Sequence, residues 1–502
     1  MKRKWGRWIS IITILLLGTL MILWIILEPQ RTKVFTEGHS THSVRKIMAD
    51  LRYDRRIELI REELDIAEED QYQHLFLSMY PIRSYDTYYF SYWRGLDIFK
   101  AEMVMENGRE LAGTLEYLQN LDILPETIFL GLDPEMIEAE YPLEDSLLQM
   151  IRQTPQTSYE ILIVNPRMEY WREKEDGQWQ AILDQYERAI TLLVQEENVK
   201  VFYACDKEWL VCNDSNYTEE KMPAEDVATM LLAYYIRGEY QLTVENLAER
   251  MAATEELIAD WRKEDRKLDG LKDKTLVFMG DSTFGNFDGS LAITGIVEEF
   301  TGAQVINCGY GGMAAAYGDT ELPAFGDLLQ AVEKEDGSGL LRGETGPPAV
   351  QTSADLKKIA GRGDNMVIFL VYGINDYIKG FPISSADPYD RNTYEGALRA
   401  GIESLQDMFP GAGMVLMTPN FIKYNQYGRN PVGEADQVYA DYVQAIHELA
   451  EEFDLPLLDN YGEMNINEEN VLDYLQDEVH LNEGGRFMVA MRMLEQLKQL
   501  YP

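Results

Sequence analysis

An unbroken uncharged run opens the hydropathy pattern of this chain, from Trp8 to Leu27. As a helix, about twenty residues span roughly 30 Å, the thickness of a bilayer's hydrocarbon core. Lys2, Arg3, Lys4 and Arg7 precede it. Basic flanks stay in the cytoplasm, which puts everything after Glu28 outside. A cleaved leader has a shorter apolar region and ends at small residues, and Leu27-Glu28-Pro29-Gln30-Arg31 offers no such site. The pattern predicts a retained transmembrane signal anchor over 1–30 and a polar tether over 31–44.

From 45 to 250 the pattern alternates between short apolar runs and amphipathic stretches. Thr127–Leu132, Ile161–Val164 and Val199–Tyr203 read as buried parallel strands. Between the last two, Ile182, Leu183, Tyr186, Ile190 and Leu193 share one face of a helix predicted over Trp179–Glu197. This predicts an α/β domain. The charged stretch 243–269 reads as a helix, with 251–273 as a helical linker.

Residues 274–502 repeat the alternation more plainly. Leu276–Met279, Val305–Asn307, Met366–Tyr372, Gly413–Thr418 and Leu455–Leu458 read as strands. Leu291–Phe300, Tyr394–Met408, Ala435–Phe453 and Glu483–Leu500 read as helices. The pattern lapses over 318–363, where Glu335-Asp336-Gly337-Ser338-Gly339 and Gly346-Pro347-Pro348 are turn-rich. A lid or substrate-shaping loop is the expectation there.

Composition narrows the partners. At 502 residues two soluble domains are the natural division. The net charge of −41 becomes more negative once the basic amino terminus is set aside. Such a surface repels nucleic acid and disfavours anionic lipid. Cys205, Cys212 and Cys308 are too few for a disulfide framework, although Cys205 and Cys212 could pair. No Cys/His cluster has metal-ligand spacing, so neither metal nor cofactor is expected. Asn216-Tyr217-Thr218 fits the glycosylation pattern, a short match of little weight.

Four words in the second half carry chemistry: Gly280-Asp281-Ser282, Asn307-Cys308-Gly309-Tyr310-Gly311-Gly312, Gly373-Ile374-Asn375-Asp376 and Asp477-Glu478-Val479-His480. A serine hydroxyl needs a base to take its proton and donors to hold the oxyanion that follows. Ser282 follows a strand, and ligands of α/β sheets bind beyond the carboxyl ends of strands. Asp477 and His480, spaced i, i+3, share one side of a helical turn, where the carboxylate can hold the imidazole that serves Ser282. The Ser282 N–H, a loop N–H at Gly312 and the Asn375 amide are the oxyanion donors. Taken singly, each word has a bland reading as a turn, a helix cap or a surface histidine. Their joint order at strand ends favours the catalytic one.

These words resemble the SGNH (GDSL-type) hydrolase family over roughly 274–502. The family's serine falls on Ser282, its glycine on Gly312, its asparagine on Asn375, and its aspartate and histidine on Asp477 and His480. The resemblance implies a flavodoxin-like three-layer α/β/α fold and metal-free esterase, lipase or acyltransferase activity. Thr283-Phe284 stands where leucine is common after the serine, and the 318–363 insertion makes a substrate inferred from the family unsafe. In the first half, Asn213–Glu219 after the 199–203 strand resembles the tail of a similar domain. No histidine lies between 75 and 446 and no Gly-Asp-Ser word occurs there, so a non-catalytic role is expected. His74 reads as structural, and His39 and His42 as tether residues.

Three functions follow. The first is a membrane-anchored extracellular esterase removing acyl groups, acetyl among them, from a cell-surface glycan or small ester. The second is an acyltransferase passing an acyl group to a surface polymer, with a membrane acyltransferase as partner. Both pass through acyl-Ser282. A non-enzymatic binding protein is the third, and the intact set of site residues counts against it.

Overall fold

The computed structural model describes residues 53–501, apart from 70, 80–81, 83, 106–107, 120–123, 133–142, 164–165, 220–221, 264–265, 319–320, 341–346, 362–364 and 424–437. The expected anchor (1–30), the tether (31–44) and its histidines lie outside the described residues. Among the described residues no helix is long and apolar enough to cross a membrane.

The chain forms two compact units. The first takes the residues up to Val164 together with Ala181–Tyr203 and Ala228–Leu247. Its strands are β1 (His74–Met79), β2 (Ile98–Met105), β3 (Thr127–Leu132), β4 (Ser158–Ile163), β5 (Val199–Tyr203) and β6 (Gln241–Leu242). They order β2-β1-β3-β4-β5-β6, all parallel except the last pair. After their first residues β3 and β4 are wholly buried, as befits strands covered on both faces. Glu160 interrupts β4, yet its buried carboxylate is partnered by Lys200 at 2.9 Å on β5 and by the Tyr235 hydroxyl.

The second unit contributes β7 (Thr275–Gly280), β8 (Gln304–Asn307), β9 (Met366–Val371), β10 (Gly413–Met417) and β11 (Leu457–Leu458). Their order, β11-β10-β9-β7-β8, is parallel throughout. Counted from its own first strand this is 2-1-3-4-5, the flavodoxin-like order, with its switch point between β7 and β9. Both strands at that point are buried at every position.

Three features differ from the sequence reading. The 318–363 stretch contains two helices, Phe325–Lys334 and Pro347–Ile359, rather than an extended loop. Phe325, Leu328, Leu329 and Val332 recur at helical spacing and enter the core with Leu340 and Leu356. Packing that much apolar surface outweighs the turn signals that flank it.

The units also do not divide by a single cut at 250: the last crossing, between Leu247 and Ala248, falls close to it, but two earlier segments change sides. Asn165–Gln180, Ala204–Val227 and everything from Ala248 onward cluster with the second unit. The helix Leu247–Trp261 buries Met251, Ile258 and Trp261. Trp261 packs against Phe300 and Phe487 and donates to Glu208 at 2.7 Å.

Finally, Cys205 and Cys212 are buried thiols that no disulfide joins. Asn216 is wholly buried, donating to the Trp209 carbonyl at 2.7 Å, which closes it to glycosylation in the folded chain.

Candidate active site

Local sequence sets each part of the site. The apolar strand β7 ends at Gly280, where a Cβ would lie 2.7 Å from the Val371 carbonyl oxygen, so only glycine lets the two strands lie this close. Asp281 then caps the short helix Ser282–Gly285. Its Oδ1 accepts the Thr283 N–H at 2.9 Å and the Thr283 hydroxyl at 2.7 Å. Ser282 therefore sits at the first helical position beyond a strand end.

The last word folds differently from the helical turn expected of an i, i+3 pair. Leu475 and Leu481 form an antiparallel bridge, and 476–480 is a bend. Asp477 Oδ1 accepts the N–H groups of Val479 and His480, both at 2.7 Å. Such local side-chain bonds compete with helix formation. Oδ2 is left to hold His480 Nδ1 at 2.7 Å, and His480 Nε2 lies 3.0 Å from Ser282 Oγ. Burial pushes the Asp477 carboxyl up. The His480 and Val479 N–H groups and the imidazole outweigh it and hold the carboxyl below the ordinary carboxylate range. This chain can pass the serine proton to Nε2 while an ionised carboxylate fixes the ring.

The remaining words line the same sheet edge. After β8, Asn307 accepts Gly309 N–H at 2.9 Å and donates to the Phe284 carbonyl at 2.8 Å. Gly312 takes a φ of +78°, and a Cβ there would lie 2.8 Å from Leu322 Cδ1. Among the described residues neither the Gly312 nor the Ser282 N–H has a partner. Asn375 follows β9 in the first turn of the helix Ile374–Lys379. Its amide donates to Met313 O at 3.1 Å and lies 3.4 Å from Asp281 Oδ2. The second bond is long, which leaves that hydrogen the freer of the two to meet an oxyanion.

Several contributors escaped the sequence reading. Asp376 is wholly buried and accepts the N–H groups of Ala315 and Ala316, each at 2.9 Å. Burial pushes its carboxyl up to about 7 despite those bonds. Arg486, also buried, donates to the carbonyls of Leu291 and Leu481 and stacks on Phe287 at 3.8 Å. Its sequence signal was a cation inside the apolar stripe of the closing helix. Phe287, Ile374, Asn420, Val479 and Leu481 wall a cleft beside Ser282. Among the described residues no cluster of three His, Cys, Asp or Glu side chains is arranged to hold a metal ion.

Fold and site define a hydrolase with a Ser–His–Asp arrangement at the carboxyl edge of a flavodoxin-like sheet. Residues 278–486, within the second unit, match the model of the GDSL-like lipase/acylhydrolase family. Similar solved structures include a protein from Lactobacillus plantarum, 19% identical over 46% of this chain and 98% of that one, with a TM-score of 0.36. A lipase/acylhydrolase from Enterococcus faecalis is 17% identical over 46% and 97%, with a TM-score of 0.29. A carbohydrate acetylesterase family member from Sinorhizobium meliloti is 19% identical over 45% and 98%, with a TM-score of 0.30. No curated protein matches the chain.

Proposed function

We propose that this chain is a membrane-anchored esterase that removes short acyl groups, acetyl above all, from a glycan at the outer cell surface. Ser282 attacks the ester carbonyl while His480 takes its proton, and Asp477 stabilises the imidazolium. The Ser282 and Gly312 N–H groups and the Asn375 amide receive the oxyanion. His480 then protonates the leaving sugar oxygen. Water, deprotonated by the same imidazole, releases the acid from acyl-Ser282.

One observation carries the reading: the 3.0 Å and 2.7 Å contacts that chain Ser282 to His480 and Asp477. Support for the anchor is the Trp8–Leu27 run and its basic flank. An outward-facing domain on a short tether has a surface glycan within reach.

The test uses the full chain in detergent with acetyl, butyryl and octanoyl esters and an acetylated oligosaccharide. Acetate release should dominate and vanish in Ser282→Ala. Equal rates for octanoyl and acetyl esters would sink the short-acyl reading. Failure of a fluorophosphonate to label Ser282 would sink the serine mechanism. Labelled acetyl appearing on an added sugar faster than free acetate would make the chain a transferase working through the same intermediate.

A further inference from the structure

We infer that Lys379 is a positioning residue for this reaction, holding the oxyanion loop in its working conformation from the far end of the Asn375 helix. The inference deepens the acyl-Ser282 reading and rests on it. Lys379 lies outside the four words and ends the helix Ile374–Lys379. Its Nζ donates to the Gly312 carbonyl oxygen at 2.8 Å.

The loop needs such a hold. Gly312 has the widest conformational freedom of any residue type, and its φ of +78° is only one of its accessible states. Upstream the chain is fixed by Tyr310 N–H on Gly280 O at 3.0 Å and by Gly309 N–H on Asn307. Downstream, Asn375 holds Met313 O, and Asp376 holds the N–H groups of Ala315 and Ala316. Between these anchors the peptide joining Gly312 to Met313 is held on both sides, by its N–H on the Tyr310 carbonyl at 3.1 Å and by Lys379 on its carbonyl oxygen. With both neighbouring peptides and its own carbonyl fixed, the Gly312 N–H stays unpaired and available to an oxyanion. Asn375, Asp376 and Lys379 thus make one helix a three-point clamp on the loop.

Charge fits the assignment. An ammonium donor binds a carbonyl more strongly than a neutral one. Lys379 also lowers the cost of the buried Asp376 carboxylate three residues before it. The bland alternative is a lysine that merely satisfies the carboxyl end of its own helix. On that view the Gly312 contact is incidental and catalysis is indifferent to it.

The experiment compares Lys379→Met and Lys379→Arg with wild type in the full chain. Readouts are kcat and KM on p-nitrophenyl acetate, the rate of fluorophosphonate labelling of Ser282, and the melting temperature. Lys379 is half-buried, so Lys379→Met should fold. Its kcat should fall about tenfold or more with KM within about twofold, as for a weakened oxyanion donor. Labelling should slow in parallel, because phosphonylation also builds charge on an oxygen. Lys379→Arg should recover most of both rates. Unchanged kcat and labelling in Lys379→Met would overturn the assignment, as would an arginine variant no better than methionine, or a rise in KM alone. If wild type itself neither hydrolyses nor labels, the acyl-serine reading fails and takes the clamp with it. That outcome is distinct from an active wild type with an equally active Lys379→Met.

Discussion

The two sheets of this chain share one plan and differ in what stands at its edge. β2-β1-β3-β4-β5 in the first unit and β8-β7-β9-β10-β11 in the second follow the same 2-1-3-4-5 order. In the second, the residues after β7, β8 and β9 supply Ser282, the Gly312 loop and Asn375. In the first, the only described histidine, His74, begins β1 and so sits at the opposite end of its strand. The buried charge also differs. Glu160 is matched to Lys200 and Tyr235 within the first sheet, as a structural pair would be. Asp281 and Asp376 are spent on backbone N–H groups that shape loops around a serine. The fold therefore offers a place where ligands can bind. Short segments after its strands decide whether chemistry happens there.

Mutations can break this comparison, and the largest effect is expected at the serine. Ser282→Ala or His480→Ala should lower kcat by about 10⁴-fold or more, measured on acetyl esters. A loss under tenfold would mean that the first unit, or another group, carries activity. Asp477→Asn comes next, with a fall of roughly 10²–10⁴-fold, because the amide no longer stabilises the imidazolium. The depressed Asp477 carboxyl also contributes stability above the ordinary aspartate range. That contribution should be lost as pH falls through its folded value, and denaturant midpoints in acid should show it missing in Asp477→Asn.

Gly312→Ala should cost about 10–10³-fold in kcat and about 1–3 kcal/mol in stability, from the positive φ and the Leu322 contact. Wild-type rates in that variant would remove Gly312 from the oxyanion set. Asp376 should tilt stability with pH. Between the ordinary aspartate range and about 7, the folded chain keeps a proton that the unfolded chain has released. Stability from this group therefore falls as pH rises through that window. Asp376→Asn should flatten the slope of urea midpoints there, and an unchanged slope would clear Asp376 as the cause. Smallest in function is Glu160→Ala, which should cost about 1–3 kcal/mol by removing the buried acceptor that Lys200 and the Tyr235 hydroxyl share, with hydrolysis unchanged. Lost activity in a folded Glu160→Ala would give the first unit a catalytic part.

Much of the second sheet was legible in the chain. Met366–Val371 is apolar at every position, and the helices Tyr394–Met408 and Glu483–Leu500 fall at the residues their periodicity marks. Both are local signals. The helix Phe325–Lys334 carried the same periodicity, but Gly- and Pro-rich turns around it obscured the signal. The division between units was legible only as its last crossing near 250, not in the two earlier segments that join the second unit. Trp261 and Asn216 look like linker and loop residues until their partners Phe487 and Trp209 are beside them.

The sequence by itself determined the kind of chemistry, because Ser282, Gly312, Asn375, Asp477 and His480 are types whose reactivity is intrinsic and whose order along strand ends is readable. Only the tertiary structure decided how those groups are held. It buried Asp376 against the loop amides, stacked Arg486 on Phe287 and brought Lys379 to the Gly312 carbonyl. The physical reason is distance along the chain. Spacing fixes which side chains share a helix or strand. Hydrogen bonds between residues tens to hundreds of positions apart exist only once packing has closed the loops between them.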